Sequence, residues 1–543
     1  MGSSSNFDTK SAAKGMAILS ISMFISKIMS ILYLPFLRAI LGQEGVGIYQ
    51  SCYGIYAYIY MIANAGLPVA ISKIIAEYVS VGNKKDAVKA FKISRLLAIC
   101  IGLISTIILI VFAGPITKVM KSEQAKIALM AIAPTMLLTT VLSCYKGYFQ
   151  GLGNMIPTGV SQVMEQIANV VFSLLFAYFL IKVSLEIGVA GGTVGTTIGA
   201  FLALIYFVYY YRKRGSRGLG TIKNNPNVKR DSNEEILKKI IKYVIPITIA
   251  IAIQQLGSII DIKMVKHTLM DTLSYSKAQT NILWGFYGQY NTLINVPLGL
   301  VSSISVSAVP MIATYVAAKD RKAVKTSINS TTKLMYLLAV PSAMGLAVLS
   351  KPILRMLKMD QEISTFLIYG SFVLVIMGIV YLQTSILQGL GRVKAATIFC
   401  AIGMVVKIII NYFVVSMPSI NVYGAIISSA SSFIVMFILN QWLINRVLKV
   451  KVKVIVAMIK PLIASIIMGV ACGYSYMGLN KIFMVILGGY IGNALSLVIS
   501  IIIAIIVYGI TILVLGGINK RELNILPKKL TNLIPNKLLK YIR

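Results

Sequence analysis

Apolar runs of about 20 residues, separated by short polar or Gly/Pro stretches, recur along this chain from one end to the other. Each run is long enough to cross a bilayer as a helix, because a helix rises about 1.5 Å per residue and satisfies its own backbone in hydrocarbon. The composition agrees: 57% of the 543 residues are apolar, 13% are charged, and the mean hydropathy is +0.83. Such a chain is neither disordered nor an ordinary soluble enzyme. The predicted fold class is an all-α polytopic membrane protein.

Windows of this length give roughly fourteen spans, the first at 16–41 and the last at 486–515. The second (46–79) and eighth (282–318) exceed a bilayer's thickness and are expected to extend beyond it or to bend at Gly66/Pro68 and Pro297/Gly299. The 52 basic and 16 acidic residues give a net charge of +36. The basic residues gather in short loops, at Lys84/Lys85/Lys89, Arg212 to Lys242, Lys319/Arg321/Lys322/Lys325, Arg446/Lys449/Lys451/Lys453 and Lys520 to Arg543. Loops on the N-terminal side carry roughly 32 Lys/Arg against roughly nine opposite, which orients both termini toward the cytoplasm and implies a membrane topology rather than a nucleic-acid partner. The polar N-terminus has no short apolar run before a small-residue site, so the first span is expected to be retained.

The halves match at an offset of about 238 residues. Gln150-Gly151-Leu152-Gly153 corresponds to Gln388-Gly389-Leu390-Gly391, Tyr49 to Tyr287, and Tyr78-Val79 to Tyr315-Val316. An even number of spans separates the paired elements, so the repeats share orientation around an axis along the membrane normal. The expected organisation is an N-terminal tail (1–15), a six-helix lobe (16–211), a flexible Gly/Asn/Lys-rich cytoplasmic linker (212–239), a second six-helix lobe (240–447), two further helices (448–515) and a basic tail (516–543), with a central cavity between the lobes.

An ionisable group inside a bilayer is costly and marks a functional hypothesis. The candidate cations are Lys27 and Arg38 in the first span, Lys263 and Lys266 in the seventh, and Lys407 in the eleventh; the acids are Glu165 in the fifth and Asp261 in the seventh. Cations outnumber acids, so a cavity lined by Lys27, Arg38, Lys263, Lys266, Lys407 and Asp261 suits an anion such as a lipid diphosphate. Lys266 could instead snorkel, and Arg38 could pair with Glu44. Glu165 lies on a polar stripe with Thr158, Ser161, Gln162 and Asn169, which serves either as helix glue or as a coupling site that pairs with Lys27 or Lys407 in one state. Tyr49, Tyr53, Tyr56, Tyr60 and Asn64 form a second stripe, read as packing. His267, the one histidine, reads as a loop residue. The five cysteines (52, 100, 144, 400 and 472) suggest neither disulfides nor a metal, and no catalytic residues, metal site or nucleotide-binding loop is expected. The Gly-rich segment 188–200 reads as close helix packing.

The stretches LRAILGQEGVGIYQ (37–50), YKGYFQGLGNMIPTGVSQVMEQ (145–166) and LQGLGRVKAATIFCAIGMVVKIIINY (387–412) resemble the multidrug/oligosaccharidyl-lipid/polysaccharide exporter superfamily, most of all its stage V sporulation protein B and Gram-positive lipid II flippase group. The resemblance implies a monomeric flippase in a bacterial plasma membrane, moving an undecaprenyl-diphosphate-linked oligosaccharide, foremost lipid II, by alternating access. It implies no cofactor beyond a coupling ion (Na+ or H+) or the membrane potential, and cell-wall synthesis machinery as a partner. The rival readings are a capsule or teichoic-type flippase, a cation-coupled multidrug exporter, and a polytopic glycosyl or acyl transferase.

Overall fold

The computed structural model describes residues 9–64, 66–215, 230–317, 319–449 and 454–517. The first eight residues of the tail, the linker core 216–229 with the basic Arg217, Lys223 and Lys229, Lys451 and Lys453, and the basic tail from residue 518 lie outside the described residues. Every long element among the described residues is helical. In chain order they are α1 Thr9–Asn64, α2 Gly66–Ser80, α3 Lys84–Val119, α4 Lys126–Ile132, α5 Pro134–Gly151, α6 Ile156–Leu180, α7 Leu185–Tyr210, α8 Asn233–His267 and α9 Lys277–Ala317. There follow α10 Arg321–Val348, α11 Ser350–Met356, α12 Ile363–Gly370, α13 Val373–Gly389, α14 Val393–Val415, α15 Gly424–Leu448, α16 Val454–Leu487 and α17 Gly489–Val514.

Among the described residues nine helices are long and apolar enough to cross a membrane, and up to eleven when the bent pairs α4/α5 and α12/α13 each count as one. The sequence count is higher for two reasons. Its first two spans form the single stretch Ile21–Ser80, which turns at the non-helical Gly42 (φ 69°, ψ −179°), and the polar-bearing α8 and α9 stand outside the nine. The expected bend at Gly66/Pro68 coincides with the change from α1 to α2, whereas α9 runs through Pro297 as one helix.

Two compact units divide the chain, residues 1–288 and 289–543. In the first, Ile71 and Ile75 of α2, Phe91 of α3, Tyr148 of α5, Phe207 of α7 and Ile236 and Ile240 of α8 form one buried cluster. Its aromatic rings meet at 4.6 Å (Phe91 with Tyr148) and 5.2 Å (Phe91 with Tyr145) between centroids, contacts worth about 0.5–1.5 kcal/mol each beyond burial. The start of α8 thus packs into the core formed by α2, α3 and α5. The Gly-rich segment does what its composition predicts. At Gly191 an added Cβ would sit 2.6 Å from the Phe176 carbonyl oxygen, and at Gly195 and Gly199 it would meet the backbone of Ser173 and Glu165, so α6 and α7 touch main chain to main chain.

In the second unit α14 pairs with α15, and α16 and α17 form a hairpin that packs on α10 and α11. A small cluster of Leu349, Met468, Cys472, Leu497 and Ala504 sits in that hairpin's inner face.

The repeat read from the sequence recurs in backbone detail. Gly153 and Gly391, which follow α5 and α13, adopt left-handed φ values of 76° and 75°. Asn83 donates its amide to the Tyr78 carbonyl (2.8 Å) and caps α3, while Asp320 donates to the Tyr315 carbonyl (3.0 Å) and caps α10. The spans before the QGLG motifs are both broken, by 43° at α4/α5 and by 49° at α12/α13.

Candidate functional site

The candidate cations fall into two classes. Lys27 and Lys263 are exposed and Arg38 is half-buried, although Lys27 and Arg38 lie within an apolar stretch. Eleven residues are three helical turns, so Lys27 and Arg38 share one side of α1, about 16 Å apart along its axis. By contrast, Lys266 is 0% exposed and Lys407 is buried beside Asn411, Gly403 and Met404 on α14. Asp261 is also buried and accepts a hydrogen bond from the Tyr287 hydroxyl at 3.0 Å. On α8, therefore, Asp261 and Lys266 are buried while Lys263 is exposed.

Lys266 does not snorkel. Its ammonium donates to Asn281 Oδ1 (2.8 Å), Asn281 Nδ2 donates to Gln124 Oε1 (2.6 Å), and Gln124 Nε2 donates to Glu44 Oε1 (3.4 Å). A buried cation is thereby linked through two amides to a carboxylate, joining α8, α9, the turn before α4, and α1 at the end of this unit opposite the linker. Close by, a Cβ at Gly285 of α9 would lie 3.2 Å from Gly47 Cα of α1, so these helices also meet at their backbones. Ion pairs rim the contact, Lys121 with Asp271 (3.0 Å) and Lys277 with Glu123 (3.2 Å), and His267 Nε2 lies 3.1 Å from the Asp271 carboxylate.

Glu165 pairs with Lys146 of α5 at 3.6 Å, not with Lys27 or Lys407. The sequence reading missed Lys146 because a lysine near the end of a span looks like an interfacial anchor. Both side chains are largely buried, at 19% and 25% exposure, so this ion pair is set apart from bulk water. Two other members of the polar stripe bond internally: Ser161 donates to the Thr158 carbonyl (2.8 Å), and Asn169 Oδ1 accepts from Ser173 and from Thr196, both at 3.0 Å, with Thr196 hydrogen bonded to Tyr53. Tyr33, Tyr49, Tyr53, Tyr56 and Tyr60 form a continuous ring ladder along α1, with centroid spacings of 6.2, 4.4, 6.0 and 5.7 Å.

At the linker end of the unit, Asp231 ties three helices together. Its carboxylate accepts from Tyr78 (2.5 Å) and Lys239, its carbonyl accepts from Lys89 (3.0 Å), and its amide donates to the buried Asp86 (2.9 Å). The hydrogen bond to Asp231 holds the Lys239 ammonium above the ordinary lysine pKa. Among the described residues no group of three or more His, Cys, Asp or Glu side chains could hold a metal ion.

Known proteins are similar to this chain over most of its length. The profile of a polysaccharide biosynthesis protein family matches residues 12–316, and that of the MatE family matches 246–413. The chain is 25% identical to the lipid II flippase MurJ of Bacillus subtilis over 478 residues, covering 84% of this chain and 87% of the relative. It is 24% identical over 528 residues to stage V sporulation protein B of the same organism, covering 95% and 97%. Among solved structures, the lipid II flippase MurJ in an inward closed conformation superimposes with a TM-score of 0.65 at 18% identity, over 91% of this chain and 98% of that one. An inward-facing multidrug resistance transporter of the MATE family gives 0.62 at 17% identity, over 80% and 99%. The chain belongs to the polysaccharide biosynthesis protein family, within the multidrug/oligosaccharidyl-lipid/polysaccharide exporter superfamily and its MurJ-like group, and is a multi-pass membrane transporter rather than an enzyme.

Proposed function

We propose that this protein flips a lipid-linked polysaccharide precursor from the cytoplasmic to the outer leaflet by alternating access, with the peptidoglycan precursor lipid II as its substrate. The observation that carries this reading is the exposure of Lys27 and the half-buried Arg38 within the apolar stretch Ile21–Ser80, with Lys263 exposed on α8. Lipid would penalise such side chains, whereas a polar cavity that receives a diphosphate would favour them. A cation-drug site would call for acids, and the two candidate acids are held in internal bonds, Asp261 to Tyr287 and Glu165 to Lys146. Lys266 and Lys407, which are buried, act in this reading through the packing around the cavity.

Gln substitutions at Lys27, Arg38 and Lys263 test it. Each cation removed should lower transport about tenfold or more, since a charge-assisted hydrogen bond is worth about 1.5–3 kcal/mol. The measurement is rescue of a host depleted of its flippase, together with identification of the lipid-linked intermediate that accumulates. Full rescue by all three variants, each at normal membrane abundance, would refute the anion site. Accumulation of a capsule or teichoic-type lipid intermediate in place of lipid II would keep the flippase and change the glycan, a reading the polysaccharide family profile also supports.

The proposal places both termini in the cytoplasm of a bacterial cell, with Na+, H+ or the membrane potential as the driving force. In a Cys-free protein, cysteine at Lys182 should react with an impermeant thiol reagent added outside, and cysteine at Lys85 only after permeabilisation. The opposite pattern overturns the orientation.

A further inference from the structure

The hairpin of α16 and α17 lies beyond the six-span repeats, and at its closed end there is an open cleft of about 560 Å³ whose lining includes Arg355, Lys358, Gln361, Gly489, Tyr490 and Asn493. From this cleft we propose a binding site for the phosphate-bearing headgroup of an anionic membrane phospholipid.

Four observations carry it. The two charged side chains on the lining, Arg355 and Lys358, are both cationic, and both are exposed. The floor is the first turn of the 26-residue α17, whose N-cap Gly488 has no side chain to bond the leading amides, so the helix offers the cleft N–H donors and a positive dipole end. The walls are fixed in advance. Tyr490 donates its hydroxyl to the Met356 carbonyl (3.0 Å), Asn493 donates to the Pro352 carbonyl (3.3 Å), Tyr476 donates to Asn493 (2.6 Å), and the Lys358 ammonium sits 4.9 Å from the Tyr490 ring centre.

The fourth observation selects a lipid rather than a free anion. Met484 lines the cleft, and the residues that neighbour it and Tyr490 in the chain are apolar and exposed, Val485 at 87%, Ile486 at 67% and Ile491 at 61%. A ligand that satisfies cations in a cleft and covers an adjoining apolar rim carries a phosphate on acyl chains. The volume is also of the size that holds a small polar ligand. Bound there, a phospholipid joins α11 to the start of α17.

The test is native mass spectrometry of the whole protein purified in mild detergent, with dioleoyl phosphatidylglycerol, dioleoyl phosphatidylcholine or inorganic phosphate added. Phosphatidylglycerol should be retained in preference to phosphatidylcholine. Arg355→Gln or Lys358→Gln should lower its retention about fivefold each, and the double variant about 25-fold, the scale expected for a cation beside an anionic lipid surface. The charge-keeping pair Arg355→Lys and Lys358→Arg should retain the lipid, and Lys182→Gln, an exposed cation in the other unit, should leave retention unchanged. Equal retention by the double Gln variant and the wild type would overturn the site. Displacement of the lipid by inorganic phosphate at equal concentration would also overturn it, since the ligand would then be the free anion.

Discussion

Glu165→Gln should transport at about a tenth of the wild-type rate or less while reaching the membrane in normal amount. The substitution keeps the shape of the side chain and removes the charge that Lys146 meets at 3.6 Å. With three quarters or more of each side chain withdrawn from the surface, the remaining ammonium has lost its compensating partner where solvation is poor. A coupling role and a packing role then diverge. If the pair exchanges its bond for a proton or a metal cation during the cycle, Glu165→Gln should abolish the dependence of transport on an imposed ion gradient. The double variant Lys146→Met with Glu165→Gln should recover stability without recovering that dependence. Transport in vesicles, measured with and without the gradient, decides the matter: wild-type rates with unchanged gradient dependence would reduce Glu165 to a structural bond.

The second large effect is on folding. Gly195→Leu should destabilise the protein by about 3 kcal/mol, the upper end of the range for overpacking, because its new side chain would enter the space held by the backbone of Ser173 and Asn169. The helices α6 and α7 would have to separate, breaking the Asn169 bond to Thr196. Gly478→Leu on α16 is the control. A Cβ there would meet nothing within 4 Å, so the change should stay within about 0.5 kcal/mol. Thermal unfolding in detergent measures both, and equal melting of the two variants would remove the argument for a main-chain contact.

The spans, the repeat and the Gly-rich packing face were legible in the sequence because each rests on a local signal: an apolar run, a motif recurring at a fixed offset, or small residues four apart. What escaped depends on which side of a helix meets which neighbour. Lys263 and Lys266 are three residues apart on α8, yet one is exposed and the other fully buried, a difference set by which side of α8 meets α1 and by the bond from Lys266 to Asn281. Lys146 gained its role from the passage of α5 beside α6, and the Gln124 and Asn281 amides were overlooked because uncharged polar residues near loops carry no alarm. The kink at Gly42 was hidden for another reason: both flanking segments are good helices, and the sequence showed a boundary without its angle.

The matched breaks at α4/α5 and α12/α13 bear on the chain's ancestry. A bend of 43° in one half and 49° in the other, each followed by a QGLG turn with the same left-handed glycine, repeats one local device at matched positions. Duplication of one unit that already carried the broken fourth span accounts for the match. Tolerance to mutation should therefore transfer between halves by simple addition of the offset. Gly151 and Gly389 are such a pair, because a Cβ would press on Ser72 and Ile75 in the first and on Val309 and Ile312 in the second. A substitution scan of either half becomes a forecast for the other, and the positions where the forecast fails are those at which the two copies have taken up separate tasks.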